Sequence, residues 1–187
     1  MKGFMMKMQL IRSSNSHFKR FLTAKKLSQL DLIMAEYSRV VNAYIGRFQK
    51  MIPRVSKMEL MRAEHLHIID SWFSARMKKC AMSEAYGMVQ SAKSNGKERK
   101  QNYLRPKHRG KKMILSETNV TIDLNPQTYE FDLMVTLRCI GNKMKLHIPL
   151  KKHDHFNRYS DWKLSKSVTV HKDNIQFTFS KEQSKKD

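Results

Sequence analysis

The chain has 187 residues and carries 37 lysines and arginines against 16 aspartates and glutamates, a formal net charge of +21 at pH 7. Such an excess opposes compaction through self-repulsion, and its natural counterpart is a polyanion, because cations that neutralise phosphates release condensed counterions. The composition therefore predicts a nucleic-acid-binding protein, and the lack of any run of about 18 apolar residues argues against a membrane-spanning helix.

The cysteines and the amino-terminal residues predict the compartment. Cys80 and Cys139 lack a C-x-x-C spacing, so we expect reduced thiols rather than a zinc site or a disulfide. Lys2 and Lys7 interrupt the first apolar stretch, which is untypical of a secretory signal. We therefore expect a cytoplasmic protein.

The first quarter of the chain predicts one strand and one long helix. The strand is expected over residues 5–11, followed by a polar break at residues 13–16. Apolar residues then recur three and four positions apart, which predicts a helix from Ser28 to Pro53.

A second helical stretch is expected from residue 56 to about residue 90. Ser56 and Glu59 have the spacing of a capping box, which predicts where the stretch starts. Residues 70–71 could cap a fresh helix and divide the stretch in two. A turn is expected at residues 94–96, where Ser, Asn and Gly follow one another.

Residues 97–112, here called the connector, hold eight lysines or arginines against one glutamate and lack a periodic apolar face. This composition predicts an extended, solvated segment that can lie along a phosphate backbone. Tyr103 could stack on a base beside those contacts. The expected backbone contacts are Lys100, Arg105, Lys107, Arg109, Lys111 and Lys112.

The second half of the chain alternates apolar and polar residues, which is the period of a β-strand. Turn residues at 125–126 and 141–142 separate the alternating segments. Four or five short strands of this kind suggest a small antiparallel barrel, and helices followed by strands make this an α+β chain. The expected strands are 120–124, 131–137, 144–150, 168–170 and 175–179.

Several segments resemble TnpB proteins and the type V CRISPR effectors descended from them. Tyr37-Ser-Arg-Val-Val-Asn42 resembles their early aromatic-x-Arg-x-x-Asn signature. The order and spacing of the further pieces extend the resemblance over nearly the whole chain. Those pieces are residues 74–81 with 85–86, the basic stretch 105–112, and the strand segments 131–133, 148–153 with 155–156, and 175–179.

The resemblance implies a wedge-type β-barrel with an inserted helical recognition domain. Residues 1–24 and 97–187 would form the barrel, and residues 25–96 the helical domain. It also implies that the protein binds a guide RNA and double-stranded target DNA beside a short flanking motif. The same resemblance implies a prokaryotic or phage-encoded protein associated with the nucleoid. Sequence choice would then be delegated to base pairing, so the protein needs shape and charge more than base-specific side chains.

Three further groups of residues are candidates for nucleic-acid contact. Arg39 and Asn42 could either hold a loop or touch the guide RNA or the flanking duplex. In the family, the region that corresponds to residues 74–79 helps to read the flanking motif. The alternative interpretation of these residues is a solvated charged turn. Its candidates are Ser74, Arg76, Lys78 and Lys79. A second basic cluster with interleaved aromatic residues suits folded RNA. Its members are Lys151, Lys152, His153, His155 and Arg158.

One feature of the family has no counterpart in this sequence. Relatives continue into a RuvC-type nuclease domain with a metal-binding Asp, whereas here Phe179 is followed by a short polar tail. We therefore expect no catalytic site and no cofactor in this chain, with Mg²⁺ needed only by a RuvC domain that is absent or on a separate chain. That chain and a second copy of this one are the further expected partners.

Two alternatives remain open from the sequence. An autonomous metal-dependent nuclease requires carboxylates that converge on ions about 4 Å apart, and the candidates here are scattered over different strands and turns. They are Asp123, Glu130, Asp132, Asp154, Asp161 and Asp173. A general RNA-binding protein is the other alternative, and it would bind many RNAs with a steep salt dependence and no preferred scaffold.

Overall fold

A computed structural model describes residues 7–51, 56–98, 104–128 and 130–184. Two long helices, α1 and α4, pack against each other, and two short ones lie between them in the chain. None of the helices in these ranges is both long enough and apolar enough to span a lipid bilayer. The helices are α1 (Ala24–Met51), α2 (Lys57–Leu60), α3 (Ala63–Leu66), α4 (Ala75–Glu98) and α5 (Asp154–Asn157).

The strands form two antiparallel sheets, which together with the helices confirm the predicted α+β class. One sheet has the strand order β1-β7-β6-β2 and the other the order β3-β4-β5. β1 pairs with β7 along its full length, so the two ends of the described chain share one sheet. The strands are β1 (Lys7–His17), β2 (Lys112–Leu115), β3 (Val120–Asp123), β4 (Leu133–Leu137), β5 (Leu146–Leu150), β6 (Lys163–His171) and β7 (Asn174–Ser184).

The strands do not form the single barrel that the sequence predicts, because neither sheet closes on itself within the described ranges. β2 pairs only with the last part of β6, from Val168 to His171. The chain then leaves that sheet and begins β3, which runs close to β6 but pairs with β4. The pairing of β6 with β7 is also irregular between Leu164 and Val168. A groove lined by residues of β3 and of the first half of β6 lies between the two strands.

Two local predictions are wrong because long-range contacts outweigh local propensity. β1 continues through residues 13–16, where a polar break was expected, and Ser14 and Ser16 are buried against β7. α4 continues through the expected turn at residues 94–96, since a glycine inside a helix costs only about 1 kcal/mol relative to alanine. Lys93 also ties this end of α4 to α1 by donating to a carbonyl oxygen of that helix at 2.8 Å.

The second helical stretch is divided, as the sequence allowed. The capping box at the start of α2 is confirmed: Ser56 Oγ accepts from the Glu59 N–H at 3.3 Å, and the Glu59 carboxylate accepts from the Ser56 N–H at 2.8 Å. α4 is capped by Ser74 rather than by residues 70–71, since Ser74 Oγ accepts from the Met77 N–H at 3.2 Å.

One continuous core joins the helices to the sheets. The predicted apolar stripe of α1, from Leu30 to Phe48, is buried. The inward-facing residues of β4, Leu133, Val135 and Leu137, are also buried. Each such side chain contributes about 1.5–3 kcal/mol relative to an exposed one, so this core fixes the surfaces on which the charged segments lie.

Glycine is required at position 141 and merely tolerated at position 87. Gly141 has a φ of +151°, and an added Cβ would lie 2.1 Å from the carbonyl oxygen of Trp72. Gly141→Ala should therefore lower the free energy of unfolding by about 2–3 kcal/mol. Gly87 lies within α4, and open space surrounds the position of an added Cβ. Gly87→Ala should therefore raise the free energy of unfolding by about 0.5–1 kcal/mol. Urea denaturation measures both changes, and equal stabilities would contradict this geometry.

Candidate nucleic-acid interface

The connector is fixed to α1 through the main chain of His108. Asn42 Nδ2 donates to the His108 carbonyl oxygen at 3.0 Å, and the His108 N–H donates to Asn42 Oδ1 at 2.9 Å. Ser38 Oγ, one turn earlier on the same face of α1, also donates to that carbonyl oxygen at 3.1 Å. The carboxamide of Asn42 therefore pairs with the connector as a neighbouring strand would, in a segment without regular secondary structure.

The side chain of His108 is buried against both long helices, with 5% of the residue exposed. The Gly110 N–H donates to its Nδ1 at 3.3 Å, and its Nε2 lies 3.5 Å from Glu84 Oε1 of α4 without the geometry of a hydrogen bond. Tyr37 of α1 donates from its hydroxyl to the other Glu84 oxygen at 2.9 Å. Burial and the Glu84 carboxylate raise the pKa of Tyr37 well above its ordinary value, so the hydroxyl remains a donor.

This anchoring turns the cations of the connector outwards. Because side chains of an extended chain alternate in direction, a buried His108 places Lys107 and Arg109 in solvent. Arg105 also lies over α1, where a Cβ added to Gly46 would meet its Nη2 at 2.8 Å. The exposed predicted contacts are Arg105, Lys107, Arg109, Lys111 and Lys112. Lys100 and Tyr103 lie outside the described residues.

Arg39 is held within the protein by a carboxylate and a carbonyl oxygen. Its Nε and Nη2 donate to the two oxygens of Glu36 at 2.7 and 2.8 Å, and Nη2 also donates to the Asp70 carbonyl oxygen at 2.6 Å. The hydrogen bonds from Arg39 are the largest cause of a Glu36 pKa below its ordinary value. For Arg39, as for Asn42, these contacts match the loop-holding role, although 54% of the Arg39 side chain remains exposed.

The candidates at the start of α4 are of two kinds. Ser74 caps the helix and donates to the Cys139 carbonyl oxygen, and Lys78 donates to a carbonyl oxygen of the preceding loop at 2.9 Å. Arg76 and Lys79 are exposed, with Arg76 Nη1 lying 3.3 Å from the sulfur of Cys139. Arg76 and Lys79 are therefore the members of this group whose side chains remain accessible to solvent.

The second basic cluster packs partly against the sheets. His153 and His155 each form a hydrogen bond to β1, at 2.9 and 3.1 Å. Lys152 donates to a carbonyl oxygen just after β3 at 2.5 Å. The side chains of Lys151, His155 and Arg158 remain exposed. The predicted residues of this cluster lie in and beside α5, in a different part of the chain from the connector.

Sequence reasoning missed the buried polar group formed by Tyr37, Glu84 and His108. One signal could have revealed it, since Glu84 lies on the apolar face of a predicted helix and a buried carboxylate requires donors. His108 gave no such signal, because its neighbours Lys107 and Arg109 belong to a solvated basic run.

Metal ligands and thiols are dispersed in the part of the chain that the structure describes. No three His, Cys, Asp or Glu side chains lie close enough there to share a metal ion. Four of the candidate carboxylates have other partners. Asp132 accepts from the Lys152 N–H at 2.7 Å, and Asp161 pairs with Lys181 at 2.6 Å. Asp123 accepts from the Asn125 N–H at 3.0 Å, and Asp173 accepts from Asn174 Nδ2 at 2.7 Å. Both cysteines are free thiols, one of them buried.

Asn42→Ala should loosen the connector. The substitution leaves the N–H of His108 without its partner, which we expect to lower the free energy of unfolding by about 1–3 kcal/mol. Trypsin should also cut the variant faster after Lys107 or Arg109 than it cuts the wild type. Asn95→Ala, at an exposed position of α4, is the matched control and should change stability by less than about 0.5 kcal/mol. Identical denaturation and cleavage of the two variants would show that the Asn42 contact does not hold the segment.

Glu36→Gln should reveal an acid-sensitive contribution to stability. The folded-state pKa of Glu36 lies below 4.5, so its contribution is complete above the unfolded pKa and is lost as the pH falls through the folded one. At pH 7 the variant should be less stable by about 1–2 kcal/mol, and the difference should shrink as the pH is lowered from 5 to 3. Glu117→Gln, at an exposed position, is the control. A difference that stays constant over this range would contradict the role given to Arg39.

No protein-family model matches this sequence, and no curated protein matches it. The function is therefore inferred from the side chains themselves. Among the candidate groups, the connector combines exposed charge of one sign with a backbone fixed at His108, a combination that favours contact with a polyanion.

Proposed function

We propose that this chain is the guide-RNA- and target-DNA-binding part of an RNA-guided system similar to TnpB and the type V effectors. The observation that carries the proposal is the outward row of connector cations, from Arg105 to Lys112, held in place by the buried His108 and by Asn42.

The spacing of this row suits a nucleic-acid backbone. Alternate residues of an extended chain lie about 6.6 Å apart, and one strand of a duplex carries a phosphate every 3.4 Å or so along the helix axis. Arg105, Lys107 and Arg109, the cations that precede the bend at Gly110 (φ +68°), can therefore accompany every second phosphate. Such contacts fix the position of a nucleic acid without reading its sequence, which is the division of labour in RNA-guided recognition.

The order of the elements also supports the proposal. Both long helices lie between β1 and β2 in the chain, and β1 pairs with β7. A first strand that joins the second half of the chain, with helices inserted between them, is the arrangement expected of a wedge domain carrying a recognition domain. We propose that the two sheets correspond to that wedge domain, in an open form.

Any DNA cleavage would belong to a RuvC-type domain outside these 187 residues, and the Mg²⁺ would be held there. In this proposal the present chain supplies no catalytic group. Its task is to hold a structured guide RNA and to position double-stranded DNA beside it.

Removing three connector charges should reduce the salt dependence of RNA binding. Each phosphate contact contributes about 0.7 to 0.9 to the slope of log K against log[salt], so replacing Lys107, Arg109 and Lys111 with glutamine should lower its magnitude by about 2. The matched control replaces Lys25, Lys50 and Lys172, which are exposed and lie outside the connector. Equal slopes for the two triple variants would show that the connector is not a backbone contact.

RNA recovered with the protein from its native host should carry one shared scaffold. Sequencing should return a structured transcript joined to guide segments, because the protein is expected to recognise the fold of that RNA. Many unrelated RNAs would instead favour a general RNA-binding protein. Protein free of nucleic acid, or Mg²⁺-dependent DNA cleavage by the chain alone, would contradict the proposal.

A further inference from the structure

A groove runs between α1, the start of α4 and the loop at residues 139–143. It consists of two adjoining cavities of about 520 and 690 Å³ that share Trp72, Asn142 and Met144 as lining residues. Leu32 and Arg39 line the first cavity, and Arg76 lines the second. We call it the Trp72 groove.

The walls of the Trp72 groove combine apolar surface with cations. Leu32 is 65% exposed, and the side chains of Trp72 and Met144 are half-buried beside it. Lys143 and Lys145 line the second cavity together with Arg76, and all three are exposed. Glu36, the acidic residue of the lining, is already paired with Arg39. An aromatic surface bordered by unpaired cations is complementary to a nucleobase with its phosphates.

The loop that closes the groove is held in a costly conformation. In the described chain, the three non-glycine residues with positive φ all lie in this loop: Cys139 at 52°, Asn142 at 49° and Lys143 at 57°. Left-handed backbone is unfavourable for residues with a Cβ, least so for asparagine. Such geometry persists only where the surrounding structure imposes it.

The surrounding contacts explain how the loop keeps this conformation. The Ser74 N–H donates to the Ile140 carbonyl oxygen at 2.7 Å, and Asn119 Nδ2 donates to the Cys139 carbonyl oxygen at 3.3 Å. The backbone of Gly141 packs directly on that of Trp72, where no Cβ would fit. The start of α4 therefore fixes the loop so that Asn142 and Lys143 border the groove.

We propose that the Trp72 groove binds an unpaired nucleotide, with its base stacked on Trp72 and its phosphates on Arg76, Lys143 and Lys145. The inference rests on the proposed function for its ligand class and adds a division of labour. The connector binds the phosphate backbone of a strand, whether or not that strand is base-paired. The Trp72 groove binds a nucleotide that is not in a duplex. The side-chain amide of Asn142 can donate to or accept from the edge of the base.

The stacking is tested by the fluorescence of Trp72. Trp162, the other tryptophan of the chain, is replaced by phenylalanine, and the protein is titrated with uridine and thymidine 12-mers and with a 20-base-pair RNA duplex. Binding is followed separately by the anisotropy of labelled nucleic acid. The single strands should bind and quench Trp72, and the duplex should bind without quenching. Quenching by the uridine 12-mer alone would assign the nucleotide to RNA, and quenching by the thymidine 12-mer alone would assign it to DNA.

Two variants separate binding from folding. Lys143→Gly and Asn142→Gly relieve the left-handed backbone, so both proteins should be at least as stable as the parent while their affinity for the single strands falls severalfold. Lys172→Ala, an equal loss of charge at an exposed turn outside the groove, is the control and should leave quenching unchanged. Trp72→Ala should weaken single-strand binding by about fivefold to 150-fold.

Four results would overturn the inference. Single strands that bind without quenching Trp72, or glycine variants that bind like the control, would show that the Trp72 groove is not the nucleotide site. Either result would leave the proposed function intact. Quenching by a poly-glutamate peptide but not by the oligonucleotides would assign the groove to a protein partner. Failure of every nucleic acid to bind would overturn the proposed function as well.

Discussion

The paired hydrogen bonds between Asn42 and the main chain of His108 determine what the basic segment of this protein can do. A lysine-rich loop that is free in solution must be ordered when it binds, and that ordering opposes binding. Here α1 has already fixed the middle of the segment through Ser38 and Asn42. The cations on either side of His108 are therefore presented before any partner arrives.

The same anchor couples the connector to the packing of the helices. Glu84 is a carboxylate in the core of a chain with a net charge of +21, and a buried carboxylate is costly without donors. Its neighbours are Tyr37 from α1 and His108 from the connector. Removing the connector would take away the His108 ring that packs beside Tyr37 and Glu84, so the position of the basic segment and the contact between α1 and α4 stabilise each other. Outside this core, the unopposed positive charge favours a polyanionic partner.

Sequence patterns predicted the elements of this fold better than their assembly. The buried stripe of α1 and the alternation of β4 follow directly from the burial of apolar side chains. The two open sheets could not be predicted. β3 pairs with β4, the next strand in the chain, whereas closing a barrel would require β3 to pair with β6, which lies much further along the chain. The polar residues 13–16 are strand for the same reason: their partners lie in β7.

The candidate site was predictable in composition but not in geometry. The exposed cations of the connector follow from the charge run, since a run of like charges stays solvated. Arg39 and Asn42 were found as motif residues, yet their hydrogen bonds inside the protein depend on which loops the fold brings to α1. His108 is surrounded in sequence by basic residues, and only the tertiary structure shows that it is buried.

The central claim is that the connector lies against nucleic acid in the native complex, and cross-linking tests it most directly. Ultraviolet irradiation of the complex purified from its host, followed by mass spectrometry, identifies the peptides that carry nucleotides. The account predicts adducts on residues 104–112, and fewer of them in Asn42→Ala than in the wild type. A complex that contains RNA but yields adducts only elsewhere, with this segment unmodified, would contradict it.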